Sequence, residues 1–424
     1  MTTSLGDRGF SVVDVDSHVW EPEVIWSDYV AATDRDVARQ AFSRRGDEIT
    51  VGGEPAKPLF RSKINRYAVW RPGMTVDDIG ALDPDAEHAE NPGAWDAAAR
   101  LADLDALGIQ QQIVLPELFG EYFPTVSDAR ASVALARAYN DWANDFAAAG
   151  DGRLHPVAVV PMADVGAAVA ELDRVAARGM KSVLLRPMFY AIPDEKGRLD
   201  GAWVIQTSGQ GGENPVGVYV DHPGFHPVWR RVEELGLVAC VHPYLGIANQ
   251  EATSEGSFVE RVAEKLGIGH SVTEPVAYLQ DNALFVVIAA FHGLLEDFPN
   301  LKLALLHSGA AMVPLSLEKA ETYLWLSPQS VLGADKPVCL EPEEVFERSR
   351  VVVGFDGWES SAVRLLDFFA DKGAWGSRYP HHDASTPADA LALCERYEVP
   401  EAIVARLLGG NAADLFGISV LATV

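Results

Sequence analysis

Residues 164–186 read DVGAAVAELDRVAARGMKSVLLR, and this stretch holds the unit from which the chain is built. Asp164 stands where a side-chain oxygen caps a helix, and Val165 to Arg178 carries apolar residues at helical spacing. Gly179 then supplies a residue that tolerates the left-handed turn ending a helix, and Ser182 to Arg186 is a short strand-like run. The same order of helix, glycine and strand recurs at Trp95 to Leu107, Gly108 and Gln110 to Leu115. It recurs again at Pro227 to Leu235, Gly236 and Val238 to His242. Outward from these, further strands are predicted at Val12 to Asp16, Pro156 to Pro161, Lys302 to His307, Val351 to Asp356 and Ala374 to Tyr379. Further helices are predicted at Asp128 to Ala149, Pro275 to Asp297, Val313 to Leu326 and Ser360 to Ala370, with closing helices within Ser385 to Gly417. Strands alternating with helices in this way predict an α/β protein, a (β/α)8 TIM barrel. A doubly wound open sheet is the alternative, and no glycine-rich dinucleotide fingerprint follows the first strand to favour it.

We read residues 1–424 as a single barrel domain with insertions after strands 1 and 4, at about 31–92 and 188–226. Connections that follow strands lie on the C-terminal face, where barrels of this kind bind their ligands, so long ones there predict lids or subunit contacts.

Composition narrows the function. Lys and Arg number 34 against 61 Asp and Glu, a net charge of −27, and no basic run exists to displace counterions from a polyanion. Nucleic acid is excluded as a partner. The longest apolar run, Ala283 to Phe291, falls well short of the ~20 residues that span a bilayer, and no apolar signal core opens the chain. A cytoplasmic protein without a membrane partner is expected. The three cysteines, Cys240, Cys339 and Cys394, are too scattered for a disulfide framework or a CxxC zinc site, so any metal must be held by His, Asp or Glu.

Such residues gather at strand ends. Asp14, Asp16 and His18 end the first strand, His242 the fifth, His307 the sixth and Asp356 the seventh. In a barrel these side chains converge on one mouth. Residues two apart on a strand share a face, so the Asp16-x-His18 pair suits a zinc-class or first-row transition metal. His222 and His226 have HxxxH spacing, but Pro223, Gly224 and Pro227 argue against one helix through both, and loop packing is the reading. His381 and His382, adjacent in an extended segment, are read as loop structure. Glu21 is read as a loop anchor, and Trp20, Trp26 and Trp70 as packing.

The segments DVDSHVWEP (14–22), ACVHP (239–243), LLEDFPNLKLALLHSGA (294–310), WGSRYPHHD (375–383) and GGNAADLFGI (409–418) occur in that order. With them the chain resembles, nearly end to end, the amidohydrolase-related proteins that include aminocarboxymuconate semialdehyde decarboxylase and the resorcylate-type decarboxylases. The resemblance implies a metal-dependent barrel in which Asp16 and His18 take the first-strand ligand places, His242 the fifth-strand place, and His307 the sixth-strand place of a histidine that either supports the ligands or is catalytic. It also implies a divalent ion, zinc in the first place with iron or manganese as alternatives, and hydrolysis or decarboxylation of a small carboxylated or amide substrate.

One position departs from the family pattern. Where relatives read GSD before YPH, this chain has Gly376, Ser377 and Arg378. A guanidinium ~4 Å from a divalent ion would be repelled by ~8 kcal/mol at an effective dielectric of ~20, so Arg378 cannot replace a carboxylate ligand. Three outcomes stay open: pairing with Asp14 or Asp356, clamping a substrate carboxylate, or occupying the metal's place. Asp356, on the neighbouring strand, is the candidate to supply the missing carboxylate. The departure also motivates a second function, an auxiliary subunit partnering a related catalytic barrel, which in this family extends to iron-dependent oxygenation. A barrel that binds ligand without metal is the third reading. Homo- or hetero-oligomerisation is expected.

Overall fold

Asp164 accepts a hydrogen bond from the Ala167 backbone N–H at 2.7 Å and starts the helix Val165–Ala177. Asp96 and Asp128 cap the helices Ala97–Leu107 and Ala129–Ala148 in the same way. Gly108, Gly179 and Gly236 follow their helices with φ of 72°, 88° and 65°, a conformation only glycine adopts without strain.

The computed structural model describes residues 9–45, 48–55, 63–191, 198–199, 202–203, 216–243, 279, 282–283, 285–291, 293–307, 309–326 and 341–419. Among these, eight parallel strands form one sheet in sequential order. They are β1 (Val13–His18), β2 (Gln111–Leu115), β3 (Leu154–Val159), β4 (Ser182–Leu184), β5 (Val238–Val241), β6 (Lys302–Leu305), β7 (Arg350–Phe355) and β8 (Gly373–Trp375). Helices occupy the connections, as parallel pairing of consecutive strands demands. The segment beyond β8 closes the ring: the Arg378 N–H donates to the Asp16 carbonyl and the His18 N–H to the Tyr379 carbonyl, both at 2.7 Å. The fold is therefore a (β/α)8 TIM barrel. Every residue of β1 is buried, as expected for a strand covered on both faces.

The predicted elements differ from the observed ones mainly at their ends. β8 is shorter than Ala374 to Tyr379, because the chain leaves the ladder to carry Ser377 and Arg378 across to β1. The predicted helix over Ser360 to Ala370 is two short helices, Ser360–Arg364 and Leu366–Phe369, interrupted where Leu365 adopts φ −110°, ψ 48°. Part of the predicted Pro275 to Asp297 helix lies outside the described residues. Its described portion ends in a π-turn, Val287–Phe291, and the short helix Leu294–Asp297. Of the long connections, the one after β1 holds a three-stranded antiparallel sheet, Phe42–Arg45, Glu48–Val51 and Glu54–Pro55. The one after β4 pairs Met188–Ala191 with Val216–Tyr219. Cys240 and Cys394 are buried free thiols, and Cys339 lies outside the described residues. Among the described residues no helix is long and apolar enough to cross a membrane.

Two stability predictions follow from the barrel's packing. A Cβ on Gly409 would come within 2.1 Å of the Ser11 carbonyl oxygen and 3.0 Å of the Val13 nitrogen, both backbone atoms that cannot swing away. Gly409→Ala is expected to cost about 1–3 kcal/mol, read as a lower urea midpoint. His155 on β3 meets the Gln111 side-chain oxygen on β2 at 2.8 Å, and burial, helped by Lys181, pushes its pKa down to about 4. Between pH 6.5 and 4 the unfolded chain therefore binds the extra proton. Stability falls across that window as pH drops, by about 3 kcal/mol at most from this group, and His155→Gln is expected to flatten that part of the pH–stability curve.

Candidate metal centre at the barrel mouth

The end of β1 is irregular. Its pairing with β2 shifts between Asp14 and Ser17, a bulge that re-aims the side chains at the strand end. Asp14, the deepest, is consumed by structure: its carboxylate accepts from the Gln112 side chain at 2.8 Å, the Ser377 N–H at 2.8 Å and the Ser377 hydroxyl at 2.5 Å. It ties β1 to β2 and to the segment after β8. Burial raises its pKa to about 6. Gly376 is needed for the same closure, since a Cβ there would lie 2.5 Å from that of Asp16.

One turn of the pleat further on, Asp16 Oδ1 lies 3.1 Å from His18 Nε2 and 3.4 Å from His242 Nε2, all three residues being buried. His18 also presents Nδ1 to Glu117 Oε2 at 2.9 Å and to the Pro116 carbonyl at 3.1 Å. Arg100, fully buried, donates to the Gly93 carbonyl at 2.7 Å and to the His18 carbonyl, fixing the backbone beneath the site. Glu21 acts as the expected anchor: its Oε1 accepts from the N–H groups of Glu117 (2.6 Å) and Phe119 (3.2 Å), holding the loop after β2 in place.

Burial alone would push the Asp16 carboxyl up, but the His242 and His18 rings facing it hold it well below the usual carboxylate range. Burial lowers the His242 pKa to about 4, so that ring is neutral. His18 is the reverse case. Despite burial, Glu117 on one side and Asp16 on the other raise it to about 10. A site that keeps a proton between carboxylates in this way is one that calls for a cation.

Among the described residues, the donor atoms of Asp16, His18 and His242 lie within 4.8 Å of one another, and so do those of His18, Glu117 and His381. The first set fits a divalent ion. Tetrahedral ligands at ~2.0–2.1 Å stand ~3.3–3.4 Å apart, close to the 3.1 and 3.4 Å found here. Two imidazoles and a carboxylate suit zinc, iron and manganese alike. The second set does not fit. His381 Nδ1 lies 2.8 Å from Arg378 Nη2, which places a guanidinium at the edge of that triad, where it opposes a second divalent charge.

Arg378 takes the first of its three open outcomes with a different partner. Its Nε lies 3.1 Å from Asp383 Oδ1, and its charge also acts on Asp356. Asp356 belongs to neither converging set: its Oδ1 accepts from the Trp358 N–H at 2.7 Å, and burial raises its pKa to about 6. His307, in the left-handed region at φ 48°, stacks on His242 at 5.5 Å, and burial with the Arg378 charge keeps it neutral. His381 is corrected from loop structure: it is buried, stacked 4.5 Å from His18 and 2.7 Å from Glu117 Oε2. His222 packs in its loop, accepting from the Gly224 N–H at 3.1 Å.

The family model for one group of amidohydrolases, Amidohydro_2, matches residues 13–418. The chain belongs to this amidohydrolase family. A curated relative, 6-methylsalicylic acid decarboxylase of Penicillium expansum, is 27% identical over 228 residues, 52% of this chain and 60% of that protein's length. Among solved structures, an amidohydrolase from Mycobacterium avium subsp. paratuberculosis K-10 superposes with TM-score 0.69 at 22% identity, covering 97% of this chain and 99% of its own. The 5-carboxyvanillate decarboxylase LigW from Sphingomonas paucimobilis superposes at 0.57 and 20% identity, covering 97% and 100%. A dihydroxybenzoic acid decarboxylase from Polaromonas sp. JS666, with bound manganese and 2-nitroresorcinol, superposes at 0.59 and 17%, covering 96% and 97%.

The arrangement predicts about one equivalent of metal per chain by elemental mass spectrometry. Asp16→Ala and His242→Ala are each expected to lose most of it, and His382→Ala, outside both converging sets, to retain it.

Proposed function

We propose that the chain is a metal-dependent decarboxylase of a small aromatic carboxylic acid, with Asp16, His18 and His242 holding the ion and His307 and Arg378 serving the chemistry. The observation that carries this reading is the buried Asp16–His18–His242 triad sharing one barrel mouth with a guanidinium. Support comes from the decarboxylase relatives, whose names specify aromatic acids. Zinc or manganese suits the ligand set, and iron remains compatible with it.

When bound, a divalent ion supplies a Lewis acid for an anionic oxygen of the substrate. The chain's own residues supply the rest. Loss of CO2 breaks the bond to the carboxyl carbon, leaves its electron pair on the ring carbon, and requires a proton there. His307 is a neutral imidazole beside His242 and is the group to which we assign proton movement. Asp356, whose pKa burial raises to about 6, titrates near enough to neutrality to carry a proton at this mouth, a role that its place outside the triad favours over ligation. Arg378 supplies the positive charge that attracts a carboxylate, and Asp383 is the anion such a carboxylate competes with.

A second reading assigns catalysis to a related barrel subunit that this chain assists, and Arg378 in a carboxylate's usual place is the observation favouring it. Both are tested by incubating the purified chain with manganese or zinc and 6-methylsalicylate, 5-carboxyvanillate or 2,6-dihydroxybenzoate. We expect CO2 release, with His307→Gln lowering kcat by about 10²–10⁴-fold at unchanged metal content. Absence of CO2 from the chain alone, regained on adding a second barrel, would transfer the activity to the partner.

A further inference from the structure

A guanidinium has only donors and keeps its charge, so every hydrogen bond it makes fixes the direction of the next. Arg378 Nη2 lies 2.8 Å from His381 Nδ1, which must therefore accept, leaving the ring proton on Nε2. That Nε2–H donates to Glu117 Oε2 at 2.7 Å. The same carboxylate oxygen lies 2.9 Å from His18 Nδ1, and the Pro116 carbonyl shares that nitrogen at 3.1 Å. Both are acceptors, so His18 carries a proton on Nδ1, and the nitrogen left for an ion is Nε2, the one facing Asp16. Glu117 is locked in turn by Glu21, and the His381 ring lies 4.5 Å from that of His18. At the outer end, Asp383 holds Arg378 Nε at 3.1 Å.

We propose that Arg378 is a positioning residue for the metal ligand His18, acting through His381 and Glu117 to hold the imidazole with Nε2 turned toward Asp16 and His242. The residue that looks like a defect in the ligand set thereby becomes the origin of the hydrogen-bonded chain that orients it. The inference rests on the reading that Asp16, His18 and His242 hold the ion. It differs in sign from the simpler view of Arg378 as a nearby cation: if the charge only repelled the metal, removing it would tighten binding.

Cobalt(II) titration of the full chain, followed by visible absorption, tests this. Arg378→Met, which keeps an unbranched side chain at a left-handed position (φ 61°), is expected to weaken cobalt affinity by about tenfold or more. Glu117→Gln is expected to do the same, and the double variant to be no weaker than Glu117→Gln alone, because both cut one chain. Arg378→Lys, which keeps a donor for His381, is expected to stay within about threefold of wild type. In the metal-free protein, histidine 15N spectra are expected to show an Nε2–H tautomer for His381 that Arg378→Met disturbs. Equal or tighter cobalt binding by Arg378→Met overturns the proposal. Should that variant not fold, a loss of less than threefold in Glu117→Gln overturns it. If wild type binds no cobalt, the metal reading itself fails, and the tautomer measurement on metal-free protein still decides the hydrogen-bonded chain.

Discussion

The constraint on which the mouth of this barrel depends is a single imidazole held between two buried carboxylates. His18 has Asp16 on its Nε2 side and Glu117 on its Nδ1 side, and neither acid is exposed enough for water to neutralise it. Buried charge of this kind is tolerated only when paired and hydrogen-bonded throughout. The surrounding structure supplies those partners. Ser377 and Gln112 satisfy Asp14, which supports the Asp16 backbone N–H at 3.1 Å, while Glu21 locks the Glu117 loop and Arg100 holds the His18 carbonyl. The barrel closes through the same residues, since Asp16 and His18 both exchange backbone hydrogen bonds with the segment after β8. Closure of the fold and assembly of the site are thus one event.

Charge also bears on why, in the proposed reading, only one of the two converging sets of donors would hold an ion. The set containing His242 has neutral imidazole and ionised carboxylate available to a cation, whereas the set containing His381 already ends in a guanidinium. A permanent cation and a divalent ion are poor neighbours at low dielectric, so the second set serves better as a support for the first than as a second centre. Arg378 in turn is balanced by Asp383, whose Oδ1 lies 3.1 Å from its Nε.

Much of this was legible in the sequence because barrels repeat a short local grammar. Helix caps at Asp128 and Asp164, glycines at 108, 179 and 236, and apolar strands between them are local signals, and the elements follow them. Asp16, His18 and His242 were readable as strand-end groups for the same reason. Glu117 escaped notice although it stands two residues past β2, because Pro116 separates it from the strand and no histidine accompanies it. His381 and Asp383 lie in a loop without periodicity. Their placement comes from long-range closure against β1 and from Arg378, which no local pattern encodes. The Arg378 substitution was visible as a departure, but its partner was not, since side-chain pairing within a loop is decided by where the backbone turns.

The most direct test of this account is a crystal structure of the manganese-loaded chain with data collected at the metal absorption edge. The account predicts one anomalous peak bounded by Asp16, His18 and His242, with Arg378 still bound to Asp383 and His381. A peak between Glu117 and His381 with Arg378 displaced, or none at the mouth at all, would contradict it.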